Sequence, residues 1–128
     1  MIYLLDTQLI LWAVADSDRL SDTARAVLTD PSHEFLFSSA AIWEVTVKSA
    51  LGRSDFSVDA RLLRRGLLTN GASELPITSE HALAVADLAP LHKDPFDRIM
   101  VAQAHAEGVV LLTADEVVAA YGAPVELV

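Results

Sequence analysis

The sequence predicts an α/β fold in which a parallel sheet of four to five short strands lies between helices on both faces. Short apolar runs such as Ile2–Leu5 lack the polar alternation of a half-exposed strand, so they indicate strands buried on both faces. Longer segments with helix-capping residues separate these runs, an alternation typical of parallel sheets. The chain has 128 residues, 52% of them hydrophobic, and no repeat or linker, so residues 1–128 are expected to form a single domain.

The individual elements follow from the apolar runs and from the capping and turn residues between them. The predicted strands cover residues 2–5, 34–37, 75–77, 109–112 and 125–128. The predicted helices cover residues 9–14, 21–29, 39–51, 58–68, 80–88 and 94–107, with a short last helix after Asp115. The residues expected to cap helices are Ser21, Ser38 or Ser39, Thr78 or Ser79, and Asp94.

The charge balance excludes some kinds of protein and argues against others. The chain has no cysteine, which rules out disulfides and thiolate zinc sites. It carries 18 acidic and 9 basic residues, and this net charge of −9 by itself argues against binding to nucleic acid. That argument weakens if several acids share one metal site, because a bound divalent ion reverses the local sign of the charge. The acidic excess would also suit a basic protein partner.

Several familiar sequence signals are missing. No stretch approaches the ~20 apolar residues of a membrane span, and the first residues lack the basic segment of a signal peptide. We therefore expect a cytoplasmic protein without a membrane partner. The histidines are scattered and do not have the spacing of a zinc site; they are His33, His81, His92 and His105. The only basic cluster lies on a predicted helix, where a solvent-exposed helix face is the default interpretation; it consists of Arg61, Arg64 and Arg65.

Four acidic residues from separate parts of the chain are the candidate functional residues. Asp6 directly follows the first strand, and Asp115 follows the strand at 109–112. Glu44 and Asp97 lie in the first turns of two helices. In a parallel sheet such positions converge where the strands end, which is also where ligands bind. Carboxylate oxygens suit Mg²⁺, and a site of this kind suits phosphodiester cleavage.

Each acid also has a simpler interpretation, and for Asp97 this is a favourable contact with the dipole of its helix, which is compatible with a functional role. Asp6 and Asp115 could each cap the helix that follows, and for these two the residues alone leave both interpretations open. Asp94, which precedes a proline, has the pattern of an N-cap, and the cap interpretation is favoured. Glu44 could pair with Lys48 one turn later. The apolar surroundings of Glu44 nevertheless favour a functional role.

The segments around these acids form recognisable motifs. They are Tyr3-Leu-Leu-Asp-Thr-Gln-Leu-Ile-Leu-Trp12, Ser39-Ala-Ala-Ile-Trp-Glu-Val-Thr-Val-Lys48, His92-Lys-Asp-Pro-Phe-Asp-Arg-Ile-Met-Val-Ala-Gln-Ala104 and Leu111-Leu-Thr-Ala-Asp115. In this order and spacing, and over essentially the whole chain, they resemble the PIN domain, specifically the VapC-type toxins of bacterial toxin–antitoxin pairs.

The resemblance implies a PIN-like fold and a toxin that acts as a Mg²⁺- or Mn²⁺-dependent endoribonuclease. It carries the roles of metal ligand and catalytic residue to Asp6, Glu44, Asp97 and Asp115. It also implies an RNA substrate and a cognate VapB-like antitoxin. We further expect a homodimer and toxin–antitoxin hetero-oligomers, because a small site supplies only part of the affinity for RNA.

Supporting roles and two rival functions complete the expectations. Four residues are expected to support the site: Thr7 and Thr113 through hydrogen bonds, Asp94 beside the metal or at the helix start, and Arg98 on a carboxylate or a phosphate. One rival is a non-catalytic acidic binding module in which the acids are only caps. The other is a phosphatase that forms an aspartyl-phosphate on Asp6, which is disfavoured because Gln8 stands where such enzymes need a second acid.

Overall fold

The computed structural model describes residues 1–53 and 56–128. The strands are β1 (Ile2–Leu5), β2 (Glu34–Ser38), β3 (Ser73–Leu75), β4 (Val110–Thr113) and β5 (Val125–Leu127). The helices are α1 (Thr7–Val14), α2 (Asp22–Thr29), α3 (Ser39–Ala50), α4 (Ala60–Thr69), α5 (Ser79–Ala84), α6 (Pro95–Glu107) and α7 (Glu116–Ala119). A 3-10 turn over Val85–Asp87 follows α5.

The five strands form one parallel sheet in the order β3–β2–β1–β4–β5. The central strand, β1, pairs with β2 and with β4, so that Leu5 lies between Phe37 and Leu112. Because all the strands run in the same direction, their carboxyl ends form one edge of the sheet. The predicted α/β fold with a parallel sheet is confirmed, with five strands.

Alternate side chains of the strands enter two hydrophobic cores on opposite faces of the sheet. On one face, Leu5 and Leu112 pack with residues of α1, α2 and α4. On the other face, Leu4 and Leu111 pack with residues of α6 and α7. Both faces are therefore covered by helices, as predicted, and this is why the strands are continuous apolar runs.

The third strand lies two residues earlier than the predicted strand at 75–77. The observed β3 ends at Leu75. Pro76 comes next, and a proline has no backbone N–H to donate to a strand ladder, so the prediction that placed this residue inside a strand was wrong.

Three helices also differ by two residues or more from their predicted bounds, and the first of them, predicted at 9–14, begins at Thr7 directly after its N-cap Asp6. The helix predicted at 80–88 leaves the α-helical conformation after Ala84 and continues as the 3-10 turn. The helix predicted at 58–68 begins only at Ala60, because the Asp59 side chain accepts hydrogen bonds from the first N–H groups of α4. The longest helix, α6, has 13 residues. No helix in the described part of the chain is long and apolar enough to cross a membrane.

Truncating a side chain in the middle of the sheet tests this core. Leu4 is fully buried on the central strand. We expect Leu4→Ala to lower the free energy of unfolding by about 2–5 kcal/mol, because it removes apolar contacts and leaves a cavity. Chemical denaturation followed by circular dichroism measures this loss.

The matched control is Leu83→Ala on α5, because Leu83 is 75% exposed. Its expected effect is within about 0.5 kcal/mol. Equal losses for the two variants would contradict the assignment of Leu4 to the core.

Candidate functional site

Asp6 lies at the carboxyl end of the central strand and is 4% exposed. Its Oδ1 accepts a hydrogen bond from the Leu9 backbone N–H at 2.9 Å, so Asp6 caps α1. The hydroxyl of Thr113, at the end of β4, donates to the other carboxylate oxygen. The cap interpretation of Asp6 is therefore correct, and it does not remove Asp6 from the edge of the sheet where a ligand would bind.

Glu44 reaches the same edge from α3. That helix begins directly after β2, where the Ser38 hydroxyl accepts a hydrogen bond from the Ala40 backbone N–H. Glu44 is 4% exposed. The Thr7 hydroxyl donates to Glu44 Oε1 at 2.5 Å, and Lys48 Nζ donates to Oε2 at 2.5 Å. The predicted pairing with Lys48 is present, but in a buried setting rather than on a solvated helix face.

Lys48 is the cation that contacts two of the acids. Its Nζ lies 3.4 Å from Asp94 Oδ2 in addition to the Glu44 contact, and 4.7 Å from the centre of the Phe56 ring. Burial would lower the pKa of Lys48, but the hydrogen bond and charge of Glu44, together with Asp94, outweigh it and raise the pKa. Lys48 therefore remains protonated and neutralises part of the acidic cluster.

Asp94 and Asp97 are both supplied by the start of α6. Asp94 Oδ1 accepts from the Phe96 backbone N–H at 2.8 Å, with Pro95 at the first helical position, so the predicted cap is confirmed. Asp97 lies one turn into the helix, with 19% of its side chain exposed. Its Oδ2 is 3.0 Å from the Nε2 atom of His92.

Asp115 approaches from the loop between β4 and α7. Its Oδ1 accepts from the Val117 backbone N–H at 2.8 Å, so it caps α7. Its backbone N–H donates to the Thr113 hydroxyl at 3.0 Å. The other oxygen, Oδ2, is 3.6 Å from His92 Nε2. Asp115 is the most exposed of the four candidate acids, with 47% of its side chain accessible.

All four acids line one cleft of about 580 Å³ at the carboxyl edge of the sheet. The other residues that line it are Thr7, Gln8, Trp12, Lys48, Arg53, Phe56, Asp94, Ala114, Glu116 and Val117. The predicted convergence of Asp6, Glu44, Asp97 and Asp115 is thus observed. Oxygen atoms concentrated in this way form the kind of donor set that a hard divalent cation prefers.

The crowding of these acids changes their protonation. Burial raises the pKa of Asp6 to about 6, against the opposing hydrogen bonds from Thr113 and Leu9, and the charges of Glu44 and Asp115 add to the rise. Burial, followed by the charge of Asp94 and then of the other three acids, raises the pKa of Asp97 to about 7. Both carboxyl groups therefore retain protons at a pH where an ordinary aspartate has lost its own, unless a cation is present.

His92 is the residue at this site that sequence reasoning missed. The scattered spacing of the histidines argues against a zinc set, and the sequence does not connect His92 with the candidate acids. Among the described residues, His92, Asp97 and Asp115 each offer an atom within 4.8 Å of the other two. The sequence signal that could have indicated this contact is the position of His92, which lies two residues before the N-cap of the helix that supplies Asp97.

The arginines singled out in the sequence lie outside the residues that line the cleft; they are Arg61, Arg64, Arg65 and Arg98. Arg98 was expected to contact a carboxylate or a phosphate, but its guanidinium donates to the Ala89 and Val85 carbonyls and to the Tyr121 hydroxyl, at 3.0, 3.1 and 2.9 Å. It therefore fixes the segment before α6. The exposed side chains of Arg61, Arg64 and Arg65 lie on α4, outside the residues that line the cleft.

Comparisons with known proteins identify the family and the fold. Residues 3–124 match the sequence model of the PIN domain. A search of curated protein sequences gave no significant match.

Solved structures with the same fold include VapBC2 from Rickettsia felis bound to a promoter DNA fragment, with a TM-score of 0.69, 15% identity, and coverage of 100% of this chain and 98% of that one. VapBC-1 from nontypeable Haemophilus influenzae has a TM-score of 0.67 and 19% identity, with coverage of 100% of this chain and 97% of that one. VapC20 from Mycobacterium tuberculosis, described as a sarcin–ricin loop cleaving toxin, has a TM-score of 0.66 and 15% identity, with 95% of each chain covered. Because the family match extends over residues 3–124, this protein belongs to the PIN domain family.

Proposed function

We propose that this protein is the toxin of a toxin–antitoxin pair and acts as a Mg²⁺- or Mn²⁺-dependent endoribonuclease. The observation that carries the proposal is the convergence of Asp6, Glu44, Asp97 and Asp115 in one cleft of a PIN domain. The structural neighbours support the biological setting, since two are VapBC complexes and a third is a toxin that cleaves the sarcin–ricin loop. A cognate VapB-like antitoxin is the proposed protein partner, and RNA is the proposed substrate.

The donor set fits a hard divalent ion. Asp6, Glu44 and Asp97 supply carboxylate oxygens from three separate elements, and both Asp6 and Asp97 have a raised pKa. Burial is the main cause of both raised pKa values, and the charges of the neighbouring acids add to them, so a divalent cation in the cleft would stabilise the ionised carboxylates. Oxygen donors without thiolates favour Mg²⁺ or Mn²⁺ over softer metals.

The roles of the individual side chains follow from their contacts. Asp6, Glu44 and Asp97 are the proposed ligands, with Asp115 as a fourth at the more open side of the cleft. The Thr113 and Thr7 hydroxyls donate to Asp6 and Glu44 and hold these carboxylates in orientation. When bound, the ion would supply Lewis-acid stabilisation of charge on the phosphate oxygens and make a water molecule more acidic.

Cleavage of RNA by the purified, partner-free protein is the direct test. We expect cutting with Mg²⁺ or Mn²⁺ and none with EDTA. Asp97→Asn should reduce the rate by roughly 100-fold or more, since even the partners of metal ligands are worth about 10–100-fold. Gel analysis of several structured RNAs, with circular dichroism of each variant, measures this.

Asp22→Asn is the matched control for Asp97→Asn. It makes the same change of charge in the first turn of a helix, but Asp22 is exposed on α2, away from the residues that line the cleft. It should cut at the wild-type rate. Cutting that persists in EDTA, or that is unaffected by Asp97→Asn, would contradict the proposal and favour a non-catalytic role for the acids.

The raised pKa values also predict a dependence of stability on pH. The folded-state pKa values of Asp6 and Asp97, about 6 and about 7, lie above the ordinary value of 3.8. The native state therefore binds more protons than the unfolded state in this window, so the contribution of these groups to stability falls as the pH rises from about 4 to about 7. In EDTA at pH 8, Asp97→Asn should raise the Tm by about 4 °C or more.

Thermal melts at pH 5 and pH 8, with EDTA or Mg²⁺, measure this effect. The advantage of Asp97→Asn should shrink at pH 5, where wild-type Asp97 is already protonated. Mg²⁺ should raise the Tm of the wild type at pH 8 and have less effect on the variant. An Asp97→Asn protein that is less stable than the wild type in EDTA at pH 8 would show that the folded state does not raise the pKa of Asp97.

A further inference from the structure

The ring of His92 lies between two of the proposed ligands. Its Nε2 atom is 3.0 Å from Asp97 Oδ2 and 3.6 Å from Asp115 Oδ2. These two acids come from different elements, the first turn of α6 and the loop after β4. His92 therefore contacts one acid from each of these two elements.

The other ring nitrogen indicates which atom carries the proton. The backbone N–H of Asp94 donates to His92 Nδ1 at 3.2 Å. A nitrogen that accepts a hydrogen bond has its lone pair in use and carries no hydrogen, so the neutral ring has its proton on Nε2. The Nε2–H group then lies against both acids, 3.0 Å from Asp97 Oδ2 and 3.6 Å from Asp115 Oδ2.

The backbone around His92 is fixed by a separate network. The His92 N–H donates to the Tyr121 hydroxyl at 3.2 Å, and Arg98 donates to the same hydroxyl at 2.9 Å. Arg98 also donates to the Ala89 carbonyl of the preceding segment at 3.0 Å. The ring thus approaches Asp97 and Asp115 from a segment tied both to α6 and to Tyr121, two residues after the end of α7.

We propose that His92 is a positioning residue that orients the carboxylates of Asp97 and Asp115 for a divalent cation and does not itself bind the ion. The inference rests on the proposed function, because it concerns the cation of that same site. A ligand role would require a lone pair on Nε2, and the hydrogen bond to Nδ1 leaves the proton on that atom. A carboxylate with one oxygen in close polar contact with a fixed ring has a restricted rotation, which lowers the entropy that cation binding must remove.

Two substitutions separate the two nitrogens of the ring. In His92→Asn the short side-chain amide can still accept the Asp94 N–H in place of Nδ1, but it does not reach Asp97. In His92→Gln the longer amide places an N–H donor where Nε2 lies. The positioning role therefore predicts that Gln rescues what Asn loses.

Binding of Mg²⁺ and of Mn²⁺ to the metal-free proteins, measured by calorimetry at pH 8, is the main test. We expect His92→Asn to raise the Kd by about 10-fold or more, by the same factor for both ions, and His92→Gln to stay within about 3-fold of the wild type. Equal factors are expected because the change affects oxygen ligands that the two ions share. Circular dichroism and the Tm in EDTA show whether each variant is folded.

Three outcomes overturn the inference. The first is an unchanged Kd in folded His92→Asn. The second is a loss much larger for Mn²⁺ than for Mg²⁺, which indicates a nitrogen ligand, since imidazole suits the transition metal better. The third is failure of His92→Gln to restore binding. If the wild type binds neither ion, the proposed function fails as well, so the two failures are distinguishable.

The tautomer is tested without any metal. A long-range ¹H–¹⁵N spectrum of the metal-free protein at pH 8, assigned with the His92→Asn variant, should show the proton of the neutral His92 ring on Nε2. A proton on Nδ1 would overturn the inference even if His92→Asn weakened cation binding. Because this measurement uses the free protein, its result does not depend on nuclease activity.

Discussion

The burial of several carboxyl groups together at one edge of the sheet is the constraint on which the local structure of this protein depends. Carboxylates brought into one partly buried cleft raise the free energy of the fold unless protons or cations neutralise them. Burial raises the pKa values of Asp6 and Asp97, and the charges of neighbouring acids add to the rise. Lys48 offsets part of it with its ammonium group, and Thr7 and Thr113 contribute hydroxyl donors to individual carboxylates. The remaining negative charge makes the cleft suited to a divalent ion.

The topology brings helix caps and functional acids to the same place. In a parallel sheet, helices begin where strands end, so an acid that caps a helix also faces the edge where ligands bind. Asp6, Asp94 and Asp115 each use one oxygen to cap a helix. The second oxygen of each makes a separate contact, with Thr113, Lys48 and His92 respectively. Capping therefore leaves the second oxygen of each carboxyl group available for the proposed metal site, so the two interpretations are compatible.

The cleft also offers a way to reconcile an acidic chain with the proposed RNA substrate. A net charge of −9 opposes association with a polyanion. Much of the acidity at the cleft is concentrated in groups that a divalent ion would neutralise, so the local sign of charge would reverse when the ion binds. The exposed arginines of α4 lie outside the residues that line the cleft. In the proposed function, cation binding is thus a precondition for phosphate binding as well as for chemistry.

The sequence by itself determined the α/β class, most of the elements and the four candidate acids, because apolar runs, helix caps and turn residues are local properties of the chain. It misplaced the third strand, since Leu75 and Ile77 look alike in an apolar pattern and only the pairing of Leu75 with Ser38 ends the ladder there. The positions of His92 and Arg98 were decided by the tertiary structure alone. His92 contacts Asp115 and Tyr121, which are distant from it in the sequence. Arg98 donates to backbone carbonyls such as that of Ala89 instead of to the acids. Such contacts depend on how distant segments pack, which local sequence patterns do not record.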